Sequence, residues 1–224
     1  YADLIMNEES RKVAFMRPKI IRCIQNFLDS KGFTEVETPI LTNLLSGAAA
    51  RPFITHHNTQ DIDMYLRIAL ELNLKRLLVG GMESVYEIGR TFRNEGMDPQ
   101  HNPEFTMMEV YQSYSDLDGM MDLTEEMYQE IANKVCGKTK FHYLGHDIDL
   151  SGKWMRISMT DAIKDKTGID FKAITSVDEC IKLASEHDIE LEEHEKQYGH
   201  IINKFFEKYV EETFYKSLRN GHWL

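Results

Sequence analysis

The sequence predicts an α+β fold, an antiparallel sheet flanked by helices, and three patterns point to it. A helical stripe opens the chain, two long strands face each other across a polar loop near its middle, and further helical stripes stand on either side of that pair. The 224 residues are 42% hydrophobic and 28% charged, a balance that suits one large globular domain or two small ones. No repeat, low-complexity tract or Pro/Gly-rich linker divides the chain, so residues 1–224 read as a single domain.

In the first stripe Val13, Met16, Ile20, Ile24, Phe27 and Leu28 recur at spacings of three and four, one buried helix face. Gly32 suits the residue that ends such a helix. Pro18 interrupts the pattern, and an interior proline costs about 3 kcal/mol, so a kink there or a helix start near Arg17 is expected. Phe33-Thr-Glu-Val-Glu-Thr38 then alternates as a strand and stops at Pro39. Leu72, Leu74, Leu77 and Leu78 mark a second helix closed by Gly80 and Gly81. Leu123, Met127, Ile131 and Val135 mark a third that ends at Gly137. Ser176 and Glu179 have capping-box spacing, and Ile202, Phe205 and Tyr209 stripe a last helix.

Between the second and third helices, Val85 to Glu95 reads as a strand, with Tyr86, Ile88 and Phe92 on one face and Thr91, Arg93 and Glu95 on the other. After the loop Gly96–Pro103, a second strand runs from Glu104 to Tyr111, where Phe105, Met107, Glu109 and Tyr111 share a face. Pairing these strands lets an Arg, two Glu, a Phe and a Tyr converge. The loop, with Asp98, Gln100, His101 and Asn102, is longer and more polar than a hairpin requires, which points to ligand contact. This inventory suits an adenylate-forming site. An Arg neutralises an α-phosphate under attack, a Glu accepts from an adenine amino group, a Phe face stacks on the purine, and carboxylates hold ammonium groups. A partly exposed hairpin of mixed charge fits the periodicity equally well.

Charge and cysteine usage bound the partners. A net charge of −11 supplies no global basic face, so any grip on RNA falls to a local patch or another domain. No apolar run approaches a membrane span, and no secretory segment stands at the start. Tyr1 in place of Met implies a start inside a longer product. Cys23, Cys136 and Cys180 are odd in number and lack C-x-x-C spacing, so they read as reduced thiols of a cytoplasmic protein. His56-His57 lacks metal-ligand spacing and reads as a polar strand end. Arg51 and Arg90 read as surface or salt-bridge residues, Glu192 to Glu195 as a solvated turn, and the 12 methionines as soft core fillers.

The wording of several segments is specific. Phe92-Arg-Asn-Glu95, the loop, and His101-Asn-Pro-Glu-Phe-Thr-Met-Met-Glu109 resemble motif 2 of class II aminoacyl-tRNA synthetases in its lysine-type form. The first helix, its strand and Pro39 resemble motif 1, which builds the dimer interface of the class. Gly47-Ala-Ala-Ala-Arg-Pro-Phe53 with Thr55-His-His57, and Leu66-Arg-Ile-Ala-Leu-Glu-Leu72, are similar to further lysine-type signatures, and the similarity runs to about Glu212. The resemblance implies a class II catalytic domain that uses ATP and Mg²⁺, with L-lysine and tRNA(Lys) as partners and a homodimer as assembly. It assigns Arg93 to catalysis, at the α-phosphate and the lysine carboxylate. ATP would further meet Glu95, His101, Asn102 and Phe105; lysine would meet Gly47, Glu71, Glu109 and Tyr111.

Some residues depart from the pattern. Ser46 stands for a usual Gly, Leu70 for a common Pro, and Gln100 for a frequent Arg. Motif 3, the acidic residues that carry Mg²⁺ and the anticodon-binding barrel have no counterpart, so the domain reads as C-terminally incomplete, no metal ligand is assigned, and lysine activation by the chain is expected to be near background. The tail Ser217–Leu224 resembles nothing in the class. A non-catalytic fragment or paralogue, and a lysine ligase acting on elongation factor P, remain alternatives.

Overall fold

The computed structural model describes residues 1–98, 101–143 and 145–211. Gln100, the stretch at Glu212 and Thr213, and the tail Ser217–Leu224 lie outside the described residues. The chain groups into two compact units, Tyr1–Val135 and Cys136–Leu224. Their boundary falls in a π-helical turn, Ala132–Cys136, which carries no linker composition.

The first unit opens with α1 (Ala2–Met6) and α2 (Glu8–Ser30). The expected helix start near Arg17 is corrected: Asn7 caps α2, its side chain accepting from the amides of Glu9 and Ser10, and the helix continues through Pro18. A good cap and an apolar face on both sides of the proline outweigh one lost backbone bond. At its end the Phe33 amide reaches the Leu28 carbonyl and the Gly32 amide the Asp29 carbonyl, with Gly32 at φ +83°. This is a Schellman closure. It turns Phe33 back onto Leu28 in the core.

Strand β1 follows as Thr34–Glu35, shorter than the alternation suggests, since Phe33 belongs to the turn and the Thr38 carbonyl is taken by Arg67. β2 (Leu41–Thr42), β3 (Ile54–His57) and β4 (Ile62–Leu66) form a small antiparallel sheet in the order β2-β4-β3. After α3 (Glu71–Val79) come β5 (Ser84–Phe92) and β6 (Glu104–Gln112), antiparallel over nine residue pairs from Ser84↔Gln112 to Phe92↔Glu104. β1 joins this hairpin in parallel, Thr34 opposite Val85, so the main sheet is mixed rather than wholly antiparallel. α4 (Leu117–Ile131) completes the unit. Even-numbered residues of the hairpin, Tyr86, Ile88, Met108 and Val110, pack with Phe27, Leu28, Phe33 and Met127. On the odd-numbered face Val85 and Tyr111 pack with Leu70 and Leu74. The site lies on this second face.

The second unit holds the hairpin β7 (Lys140–Tyr143) and β8 (His146–Asp149), then α5 (Met159–Thr167), α6 (Val177–Glu186) and α7 (Tyr198–Phe206). α7 runs on into a π-helical turn, Glu207–Glu211. Ser176 caps α6 without a side-chain bond, so the capping box expected there does not form. One forms instead between Glu192 and Glu195, which gives the supposed solvated turn a local role. Ile163, Phe171, Cys180, Ala184, Ile201 and Phe205 are fully buried at its centre, Phe171 meeting Phe205 edge-on at 5.0 Å. The three cysteines are free thiols.

Candidate functional site

The register of β5 against β6 sets Glu87 opposite Glu109, Gly89 opposite Met107 and Thr91 opposite Phe105, all on one face. Arg93 extends that face by one step, its amide bonded to the Pro103 carbonyl (2.8 Å). Its guanidinium lies over the Phe105 ring, 5.3 Å from the centroid, and its Nε is buried without a partner. A buried unsatisfied N–H costs about 1–3 kcal/mol and marks a place where an acceptor is wanted. The pairing of Arg93 with Phe105 is the expected one.

Glu95 is exposed, and its Oε1 accepts from the Arg51 amide (3.3 Å) while the Asn94 amide donates to the Arg51 carbonyl (2.8 Å). Arg51 thus acts through its backbone, joining the Gly47-to-Phe53 segment to the tip of the hairpin. His101 is exposed and turned into its own loop, its Nδ1 within 2.9 Å of both Asp98 oxygens. Asn102 is exposed beside it. These two stand at the rim and reach no other predicted site residue.

A second group gathers Gly47, Glu71, Glu109 and Tyr111. The Glu109 carboxylate accepts from the Leu70 amide at Oε1 (2.9 Å) and from the Tyr111 hydroxyl at Oε2 (2.8 Å). Burial, the bond to Glu109 and the charges of Glu109 and Glu71 hold the Tyr111 phenol above its ordinary range. Glu71 opens α3, and its Oε1 meets Lys75 Nζ at 2.5 Å, one turn along. Gly47 lies against this helix start at φ +88°, where a Cβ would fall 2.9 Å from Ala69 Cβ and 3.0 Å from Glu71 Cβ. Only glycine combines that backbone with that approach. Two carboxylates and a phenol, with Lys75 paired to Glu71, form an acidic cluster fit for ammonium groups. The Leu70 departure matters here: proline has no N–H, so the bond that holds Glu109 Oε1 exists because residue 70 is not proline.

The floor of the site was not read from the sequence. Arg67 and Glu87 are 4% and 3% exposed and pair at 2.6 Å. Arg67 Nη1 also donates to the Thr38 carbonyl and hydroxyl (2.9 and 3.0 Å), Nε donates to the Arg90 carbonyl (2.8 Å), and the Thr38 hydroxyl donates to Glu87 Oε2 (2.6 Å). The available signal was one Arg and one Glu, each set in an apolar run. Elsewhere, His56 pairs with Asp61 and Asp63 at the exposed end of β3, and Arg90 with Glu104 at 3.5 Å on the surface. Among the described residues no group of three or more His, Cys, Asp or Glu could hold a metal ion, so they offer magnesium no cage.

The profile of the family described as tRNA synthetases class II (D, K and N) matches residues 1–214. The chain belongs to that family. Lysine–tRNA ligases of Staphylococcus epidermidis, Staphylococcus aureus and Lactococcus lactis subsp. lactis are 54%, 55% and 56% identical to it over 213 residues. Each alignment takes in 95% of this chain and 43% of the relative, so this class II chain spans less than half the length of the relatives it matches. Its α+β content, helices with largely antiparallel sheets, fits membership of the class. No helix among the described residues is long and apolar enough to cross a membrane.

Proposed function

We propose that these residues are the part of a cytoplasmic lysine–tRNA ligase catalytic domain that binds ATP and lysine. On this reading residues 1–224 are one partial class II domain, within which the two compact units are subdivisions. The observation that carries the reading is the odd-numbered face of the β5–β6 hairpin, with Arg93 seated on Phe105 at one end and the Glu71, Glu109 and Tyr111 cluster at the other. Adenine stacks at Phe105, with Glu95 accepting from its amino group and His101 and Asn102 at the rim. The lysine ammonium groups take Glu71 and Glu109, with the Gly47 carbonyl beside them and Tyr111 orienting Glu109. Between these poles the lysine carboxylate attacks the α-phosphorus of ATP, forming lysyl-adenylate and releasing pyrophosphate. Arg93, its Nε wanting an acceptor, stabilises the charge that develops on the α-phosphate. A terminal tRNA(Lys) hydroxyl then attacks the adenylate carbonyl and AMP leaves. Magnesium, which the class uses with ATP, finds no cage of carboxylates among the described residues.

Assembly follows the same proposal. Val13, Met16, Ile20, Ile21 and Ile24 of α2 line an apolar groove of about 450 Å³ with Ile88 and Met108, the face on which a homodimer would form. Of the α2 stripe expected to be buried, Phe27 and Leu28 lie in the chain's own core, whereas Val13 and Met16 are exposed. Sedimentation should show a dimer at micromolar concentration, and a clean monomer would contradict it.

Calorimetry tests the site. ATP should bind on the order of millimolar, as one stacked base and one guanidinium suggest, and Arg93→Ala or Phe105→Ala should each weaken it about tenfold or more. ATP binding indifferent to both substitutions would refute the reading.

A further inference from the structure

We infer that Arg67, through its buried pairing with Glu87, is the positioning residue that holds the ATP and lysine ends of the site in register; this rests on the proposed reading of the hairpin face. Three observations carry it. The first is where the guanidinium lies. A Cβ on Gly89 would fall 2.2 Å from Arg67 Nη2 and 3.0 Å from Glu87 Oε1, so the guanidinium fills the space that a side chain at position 89 would take. Glu87 and Thr91 flank Gly89 on that face of β5, and Phe105, Met107 and Glu109 are their partners on β6. Arg67 reaches the ligand face from just beyond the end of β4.

The second observation is what its backbone holds. Arg67 directly follows β4; its amide donates to the Ile40 carbonyl (2.9 Å), and its carbonyl accepts from the Phe92 amide (3.0 Å), one residue before Arg93. Three residues on, the Leu70 amide grips Glu109, and Glu71 follows at once. One residue therefore stands between the phosphate-binding arm and both ammonium-binding carboxylates.

The third is energetic. A buried ion pair recovers its desolvation cost only with complete hydrogen bonding, and apolar replacement of such a pair is often no less stable. Here the hydrogen bonds are supplied by Thr38 and, from β5, by Glu87 and the Arg90 carbonyl, so with Arg67 itself they join three segments of the chain. What those bonds specify, beyond stability, is the relative placement of these segments.

The experiment separates placement from stability. Arg67→Met/Glu87→Met replaces both charges together, and its Tm should stay within about 5 °C of the parent chain. Amide hydrogen exchange at Leu70, Phe92 and Arg93 should nonetheless quicken roughly tenfold, and ATP affinity should fall roughly tenfold as Arg93 loses its fixed position. Arg67→Lys keeps the charge but not the fork; it should fold and show the same two changes in smaller measure. Parent-like exchange and parent-like ATP affinity in either folded variant would overturn the inference. Altered exchange in a chain whose parent binds no ATP would uphold the positioning role and defeat the functional reading instead. Should the double variant not fold, Arg67→Lys alone decides.

Discussion

The two units of this chain fill their interiors in opposite ways. In Tyr1–Val135 the buried residues include Arg67, Glu87 and Thr91, the only buried polar or charged residues among those described. The main core of the second unit, from Ala162 to Val210, is apolar throughout. Close packing by itself gives stability and needs no charge. Placing a guanidinium, two carboxylates and an aromatic ring on one face needs fixed directions, which hydrogen-bonded polar groups supply and methyl groups do not. The difference separates a unit organised around a site from one organised around packing.

The largest effects should test that contrast directly. Phe171→Ala removes a fully buried ring at the centre of the second unit and should cost about 3–5 kcal/mol in denaturant unfolding. Glu87→Leu alone should cost a similar amount, about 3–5 kcal/mol, by a different route: it leaves the Arg67 charge buried without its partner. Adding Arg67→Met to Glu87→Leu should return most of that loss, whereas no second apolar change should rescue Phe171→Ala so fully. A Glu87→Leu penalty below about 1 kcal/mol would mean that the pair is solvated and that the contrast between interiors is wrong.

A smaller steric effect sharpens the same point. Gly89→Ala would place its Cβ on the guanidinium of Arg67, a contact that must shift, and should cost about 1–3 kcal/mol. Gly199, in the second unit, has nothing within 4 Å of its virtual Cβ. Gly199→Ala in helix α7 should be neutral or stabilising by up to about 1 kcal/mol. Equal costs at the two glycines would remove the cradle at Gly89 from the argument.

How much of this was legible depends on the range of the forces involved. The stripe from Ile20 to Leu28, Gly32 as helix stop, the second and third helices, and the β5–β6 hairpin with Arg93 and Phe105 on one face are local patterns, and periodicity reads them. β1 is two residues long because Phe33 belongs to the Schellman turn at one end and, past the Val36 bond to Tyr86, the Thr38 carbonyl turns to Arg67 at the other, tertiary demands that alternation alone does not reveal. α2 ran through Pro18 because the Asn7 cap lies far upstream of it. The Arg67–Glu87 pair escaped because the partners are distant in sequence, and a lone Arg or Glu carries no signature of its partner. Lys75 on Glu71 had the i, i+4 spacing of a helix pair but drew no notice beside the motif.

Alkaline pH should act on the first unit through its tyrosines. The Tyr86 hydroxyl, fully buried, donates to Asp29 (2.9 Å), and burial followed by this bond pushes its phenol above the ordinary range, as at Tyr111. The folded state then holds these protons more tightly than the unfolded chain. Their contribution is fully present below about pH 10 and is lost as pH rises toward the folded values, by up to about 1.4 kcal/mol per pH unit for each group. Thermal melts from pH 8 to 11 should fall, and Tyr86→Phe should flatten part of that fall. A profile unchanged by Tyr86→Phe would show that the phenol is not the titrating group.

The smallest effect should appear at the acid end and belongs to the second unit. Its carboxylates Asp149, Asp161, Asp170 and Glu195, half-buried at the surface, and the exposed Glu193 lie below their ordinary range. At Asp161 the main cause is the bond from Lys172, and Ser158 adds a second; at Asp170 it is Lys164, and at Asp149 the Ser151 hydroxyl. Each depressed group contributes stability that is present above its unfolded pKa, about 4, and is lost as pH falls through the lower folded value. Because the groups lie at the surface, within reach of water, solvent and salt weaken these contributions. Melting the chain from pH 6 down to pH 2 should therefore show a modest decline at low ionic strength and a shallower one at high salt. Asp161→Asn should remove part of the difference between the two salt conditions while leaving the alkaline limb untouched. An acid decline of equal depth at both ionic strengths would show that these surface carboxylates do not carry it. The acid sensitivity would then have another source than the second unit's surface ion pairs, and the division of labour between the two units would have to be redrawn.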